Sequence, residues 1–209
     1  KFRVFPPKKA IIIPNGADHI CAVAPEPNLL KRYNLRPKSF FLAVGSLAPH
    51  KNLKAAVLSA KKSKNELVIA GGGAPADVFK SAYLPNYDAI TFVGQVTDGE
   101  LRALYENACG LLFPSLREGF GLPIVEAMLC GCPVIASNIK TTLEVMGGVA
   151  ETFDPTDVKG MANQMSLLRH DASLREAQVV AGAARAKAFT WKTSAAHLIK
   201  GLKLLNEAN

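Results

Sequence analysis

Short apolar runs recur along the 209-residue chain: SFFLAVG (39–45), ELVIAG (66–71), AITFVG (89–94), GLLFPS (110–115), PVIAS (133–137) and GVAETF (148–153). Between them, Asn52–Lys62, Asp77–Ala82, Asp98–Asn107, Pro123–Cys130 and Thr141–Met146 carry helical spacing. Strands that are apolar on both faces and alternate with helices predict a parallel sheet covered on both sides. The expected fold class is therefore α/β, a doubly wound Rossmann-like parallel sheet followed by C-terminal helices. One further strand is expected in KAIIIPNG (9–16), leading into the domain. Beyond Phe153 the spacing is helical only, in DPTDVKGMANQMSLLRH (154–170), DASLREAQVVAGAARAKAF (171–189) and TWKTSAAHLIKGLKLLNEA (190–208). Asp and Thr at the start of the first of these are helix-capping residues, and Leu198, Leu202 and Leu205 fall on one face of the third. No repeat or low-complexity tract interrupts the chain, so one domain is expected over 1–209, with 1–16 as lead-in and 154–209 as helical tail.

Open parallel sheets bind ligands outside the carboxyl ends of their strands. The turns VGSL (44–47), AGGG (70–73), FVGQ (92–95) and REGFG (117–121) all fall at those ends. The glycine-rich lysine loop of nucleotide triphosphatases is absent, as is a complete dinucleotide fingerprint, which argues against phosphotransfer and hydride transfer.

Composition narrows the partners. Against 17 Asp and Glu stand 25 Lys and Arg, a formal charge of +8. The basic residues are scattered rather than clustered and lack interleaved stacking aromatics, so nucleic acid is not an expected partner. A phosphorylated small ligand, and peripheral contact with an anionic membrane, both remain compatible with the surplus. Cys21, Cys109, Cys130 and Cys132 read as small apolar residues of a reducing compartment, Cys109 and Cys130 within core-like runs. Neither these cysteines nor His19, His50, His170 and His197 have metal-ligand spacing, so no metal is expected.

The stretch REGFGLPIVEAMLCGCPVIAS (117–137) places Glu118 and Glu126 eight positions apart across a glycine turn. Gly119 and Gly121 allow backbone to approach a ligand, and Pro123 suits the first turn of a helix, where its missing N–H costs nothing. A helix starting there aims unpaired N–H groups at the loop mouth, a site for a diphosphate. Glu126, one turn in, is placed to accept from a ribose diol, and Glu118 to hold another polyhydroxylated group. Acceptors on either side of a phosphate cradle describe a nucleotide sugar.

FVGQVTDGELRALYENACGLLFPSLREGFGLPIVEAMLCGCPVIAS (92–137) resembles the C-terminal domain of family 4 (group 1) retaining glycosyltransferases, whose GT-B fold has two Rossmann-like domains. IPNGAD (13–18), VGSLAPHKN (44–52), TTLEVMGGVAETFDPTD (141–157) and FTW (189–191) also fit, so the resemblance covers essentially the whole chain.

The resemblance implies a role for each matching position. Glu118 would contact the donor sugar hydroxyls and stabilise positive charge at the anomeric carbon. Lys51 would neutralise the diphosphate, and these two are the implied catalytic residues. Glu126 would hold the ribose hydroxyls. Gly119, Phe120, Gly121 and Leu122 would present backbone to phosphate or sugar, Gly45 would open the first phosphate loop, and Val93, Gly94, Gln95 and Val96 would line the base. Ser46 and His50 stand where the family commonly has an arginine, and a histidine carries full charge only when protonated. Retaining transfer from a GDP- or UDP-sugar without metal or other cofactor is implied. The acceptor would be a glycan or lipid-linked glycan, bound by a Rossmann-like domain preceding residue 1, in the cytoplasm and at the inner membrane face. The HKN variant (50–52) resembles mannosyl- and rhamnosyltransferase-like branches. A nucleotide-sugar epimerase of similar build and a non-catalytic nucleotide-sugar-binding module are the alternatives.

Overall fold

The computed structural model describes residues 11–72 and 88–207, with side chains described to 204. Six strands form one sheet in the order β3-β2-β1-β4-β5-β6: β1 Phe40–Val44, β2 Glu66–Ala70, β3 Ile90–Gly94, β4 Gly110–Phe113, β5 Val134–Ser137 and β6 Thr152–Phe153. Every neighbouring pair is parallel, with Phe41 opposite both Leu67 and Gly110 at the centre. The doubly wound Rossmann-like expectation is met.

The helices are α1 Leu29–Arg32, α2 Leu53–Ser63, α3 Asp98–Asn107, α4 Leu122–Leu129, α5 Lys140–Met146, α6 Val158–His170, α7 Ala172–Ala186 and α8 Trp191–Glu207, with 3-10 turns at Asp18–Ala22 and Pro49–Lys51. The strand alternation divides the core. Phe40, Leu42, Leu111, Phe113 and Val134 pack with residues of α3 and α4, including Leu104, Tyr105, Ile124 and Val125. Phe41, Ala43, Leu67, Ile69 and Leu112 point the other way, onto α2 and onto Met161, Met165 and Leu168 of α6. Such period-two side-chain placement requires cover on both faces, and that is why the strands are apolar throughout.

The predicted tail is part of this body, because α6 packs along α2 and α7 along α4. Asp157 caps α6 by accepting from the Gly160 N–H at 2.8 Å. Thr97 and Glu100 form a reciprocal capping box on α3, which fixes where the chain leaves β3.

Three readings need correction. The expected strand over 9–16 is not one where it is described: 11–16 pair with no strand, and Ile12 is 82% exposed. The segment is held instead by α8, whose Ser194 hydroxyl donates to the Pro14 carbonyl, while Ile11 lies against Gly201. The run at 148–153 pairs only at Thr152 and Phe153, since Gly147 and Gly148 take positive φ. Cys21 is exposed and Cys130 only half-buried, whereas Cys109 and Cys132 lie in the core. The helix expected at 77–82 lies outside the described residues.

Candidate functional site

The carboxyl ends of β1, β2, β3 and β4 meet on one edge. The Gly45 N–H donates to the Ala70 carbonyl at 3.0 Å and the Gly71 N–H to the Gly94 carbonyl at 2.6 Å. A Cβ on Gly71 would lie 2.7 Å from the Gly45 carbonyl oxygen, so only glycine permits this approach.

After β1 the chain makes the 3-10 turn Pro49–Lys51 and reaches Asn52, whose left-handed backbone starts α2. The Asn52 amide donates to the carbonyls of Pro114 (3.0 Å) and Pro155 (2.8 Å), tying together the loops after β1, β4 and β6. The Leu116 N–H donates to the His50 carbonyl at 2.8 Å, a second tie. These bonds deliver Lys51 to Glu118: Nζ donates to Oε1 at 2.7 Å, with side chains only 19% and 10% exposed. The ammonium also stands 5.7 Å above the Phe113 ring.

Glu118 has further support. The Ser115 hydroxyl donates to the same Oε1 at 2.6 Å, and the Ser137 hydroxyl donates to the Ser115 carbonyl at 2.7 Å. Thr141 donates to the Glu118 carbonyl at 3.1 Å, fixing the turn to α5. At a buried carboxylate such bonds replace lost hydration. Gly121, with φ of 100°, is the N-cap of α4 and offers no side-chain acceptor, and Pro123 falls in the first turn. The Ile124 N–H donates to the Gly121 carbonyl at 3.0 Å and Pro123 has no N–H, so among the helix's first three residues it is the Leu122 N–H that no side chain caps. Gly119 opens to free space, its added Cβ meeting nothing within 4 Å.

Glu126 lies in a separate polar cluster. It is 6% exposed; the Tyr105 hydroxyl donates to Oε2 at 3.0 Å, and His19 Nε2 stands 3.2 Å from Oε1. Burial pushes the carboxyl's pKa up, opposed by the Tyr105 bond and by His19, while Asp98 adds to the rise. Burial, and next the Glu126 charge, hold the Tyr105 phenol well above its usual range.

The structure thus gathers Gly45, Lys51, Glu118, Gly119, Phe120, Gly121 and Leu122 along one rim. Val93, Gly94, Gln95 and Val96 continue that edge at the end of β3; Val93 is buried and accepts from the Tyr33 hydroxyl at 3.2 Å, while Gln95 is exposed. Ser46 accepts locally from the Ala48 N–H at 3.4 Å. His50 lines a shallow hollow with Pro49, Leu116 and Arg117, which brings a second basic side chain beside it. Sequence reasoning missed Asn52, Ser115, Thr141, Tyr105 and His19. Only Ser115, just past the end of β4, and Asn52, in the HKN run at the start of α2, carried a signal of their own.

A doubly wound sheet with an acid–lysine pair and a helix start without a side-chain cap at its carboxyl edge has the features of a ligand site of open α/β sheets. Comparison with known proteins specifies the class. The sequence profile described as "Glycosyl transferases group 1" matches residues 27–185, so the chain belongs to the group 1 glycosyltransferase family. The O-antigen chain mannosyltransferase B of Escherichia coli is 32% identical over 186 residues, which are 85% of this chain and 49% of that protein. The O-antigen chain mannosyltransferase RfbU of Salmonella typhimurium is 36% identical over 127 residues, 58% of this chain and 36% of its own. Sucrose-phosphate synthase of Thermosynechococcus elongatus superposes with a TM-score of 0.78 at 25% identity, covering 94% of this chain and 53% of that one. The C-terminal domain of a group 1 glycosyltransferase from Francisella tularensis gives 0.62 at 22% identity, covering 81% of this chain and 96% of that domain. The chain therefore spans about half the length of the mannosyltransferase B that it matches.

Proposed function

We propose that this chain is the donor-binding half of a retaining, metal-independent glycosyltransferase that takes a hexose from a GDP- or UDP-sugar. The observation that carries the reading is the Lys51–Glu118 pair beside the uncapped start of α4. A lysine ammonium has three N–H donors, and only one is engaged by Glu118, so two remain for diphosphate oxygens. The Leu122 N–H at the start of α4 would add a donor beside the ammonium, as backbone N–H groups do in phosphate sites at helix starts.

During transfer the bond from the anomeric carbon to the phosphate oxygen breaks and a bond to an acceptor hydroxyl oxygen forms on the same face. The electron pair leaves with the diphosphate, and the acceptor's proton goes to a phosphate oxygen. Lys51 and the Leu122 N–H would neutralise the departing charge, the role a metal ion plays elsewhere. Glu118, held by Ser115 and Lys51, would face the positive charge that develops on the sugar. Arg117, which lines one hollow with His50, would supply a second cation near the phosphates. Glu126 would accept from the ribose diol, and 93–96 would line the base.

The O-antigen chain mannosyltransferase relatives support mannose as the first sugar to test, and the acceptor would be a glycan or lipid-linked glycan. The acceptor would be held by a Rossmann-like domain upstream of residue 1, with the enzyme cytoplasmic and in peripheral contact with the inner membrane face. Among the described residues no helix is long and apolar enough to cross a membrane.

The test titrates GDP, UDP and their mannose and glucose conjugates into the chain and its variants. Glu126→Ala is expected to weaken bare diphosphate and conjugate alike, by about ten-fold or more. Glu118→Ala is expected to spare the bare diphosphate and remove the sugar-dependent gain. Equal losses for both ligands in both variants would mean that the carboxylates shape the loop without reading the ligand.

A further inference from the structure

The 3-10 turn Asp18–Ala22 presses His19 against α4 from a direction the donor-site motifs do not foreshadow. The turn is fixed on both sides. The Ala17 N–H donates to the Phe189 carbonyl at 3.0 Å and Asp18 accepts from the Trp191 N–H at 2.8 Å, while Arg102 donates to the carbonyls of Cys21 (3.0 Å) and Val23 (2.7 Å). The imidazole is therefore delivered by clamped backbone, with its side chain 36% exposed over a Glu126 side chain that is 8% exposed. His19 Nδ1 is buried and has no hydrogen-bond partner among the described residues. A buried N–H without an acceptor is costly, so the hydrogen-bond network assigns the neutral ring's proton to Nε2, which donates to Glu126.

We infer that His19 is a positioning residue for the donor site: with Tyr105 it holds the Glu126 carboxylate oriented, its remaining acceptor sites turned to a nucleoside's ribose diol. This rests on the donor-site reading above and adds to it a residue outside the family's acid pair. A carboxylate offers about four lone-pair directions. Tyr105 takes one on Oε2 and His19 one on Oε1, which leaves one on each oxygen for two adjacent hydroxyls. The arrangement matters because a protonated Glu126 would turn one acceptor into a donor. The groups facing Glu126 divide accordingly. Burial and Asp98 favour its protonated form, and Tyr105 and His19 oppose them; Cys130 lies near it on the same helix end.

The experiment is isothermal titration of GDP and of UDP into wild type, Glu126→Gln, His19→Met and His19→Gln, from about pH 5 to 8. Met is similar in size and cannot donate, whereas the Gln amide places a donor at comparable reach. With whichever diphosphate binds, Glu126→Gln is expected to lose about ten-fold and His19→Met about five- to ten-fold. The fall in affinity on acidification should begin at higher pH in His19→Met than in wild type, and His19→Gln should recover most of the affinity. A structural role alone would move melting temperature without moving that acid limb. If Glu126→Gln weakens binding while His19→Met matches wild type at every pH, the inference is overturned and the donor-site reading stands. If Glu126→Gln also matches wild type, or neither diphosphate binds, the ribose assignment fails and takes the inference with it. The ring-nitrogen resonances of wild-type His19, followed through the same titration, need no substitution to fold. Their movement supports the role, and their constancy at saturation overturns it.

Discussion

Lys51 and Glu118 are separated by 67 positions in the chain and meet at 2.7 Å on the carboxyl edge of the sheet. Each is mostly buried, and each holds the other's charge at the edge proposed for the donor. A donor bound as proposed would therefore change the partners of an existing pair, without inserting charge into an empty cleft.

Removing one member of that pair should be worse than removing both. Lys51→Met leaves a carboxylate that is 10% exposed with only Ser115 as side-chain donor among the described residues, and should lower stability by on the order of 2 kcal/mol, between the surface and fully buried limits. Lys51→Met combined with Glu118→Gln should recover most of that loss in urea melts while binding no diphosphate. Additive losses would mean that the contact contributes no coupling.

The two glycines of the turn should respond differently to alanine. Gly121 has φ of 100°, so Gly121→Ala should cost about 1–2 kcal/mol through backbone strain. Gly119→Ala meets nothing within 4 Å and should stay within about 0.5 kcal/mol of wild type. It should still weaken a diphosphate sugar in titration, because the donor bound as proposed would reach the backbone from the open side that the added methyl group occupies.

Glu126→Gln should separate stability from function. Burial raises this carboxyl above the ordinary 4.5, so the folded chain binds its proton more tightly than the unfolded chain does. Between the ordinary and the raised value stability falls as pH rises, and above that window the cost of the buried charge is fully present. The neutral amide avoids this cost. The variant's melting temperature should equal or exceed that of wild type at neutral pH, the difference closing on acidification, while nucleotide affinity falls. A variant less stable than wild type at neutral pH would show that the Tyr105 and His19 bonds outweigh desolvation.

Thiol labelling should follow burial. Desolvation pushes Cys130 and Cys132 up to about 12 and raises Cys109 as well, which leaves almost no thiolate at neutral pH. Cys21 is exposed, so limiting iodoacetamide should modify Cys21 first, as peptide mass mapping would show. Labelling of Cys132 at a comparable rate would mean that the α4 end opens readily.

Local order was legible from the sequence because short-range physics determines it. Short continuous apolar runs placed β1 to β5, helical spacing placed α3 at Asp98–Asn107, and the Asp/Thr capping signal at the start of 154–170 preceded α6, which begins at Val158. Glycines at strand ends pointed to the edge proposed for the ligand, since one parallel sheet puts every carboxyl end on the same side. Ile11–Ile13 misled for the same reason. Apolar and β-branched residues favour a strand, but a strand also needs a neighbour, and α8 offers this segment a helix surface with a single hydroxyl for Pro14. Pairings between distant positions belong to the tertiary structure alone. Nothing in the local spacing shows that the hydroxyl of Tyr105 and the ring of His19 would close on Glu126, or that Lys51 would spend a donor on Glu118. Those contacts depend on how α3, α4 and the loops after β1 and β4 pack, and a buried charge takes whichever donor that packing brings within reach.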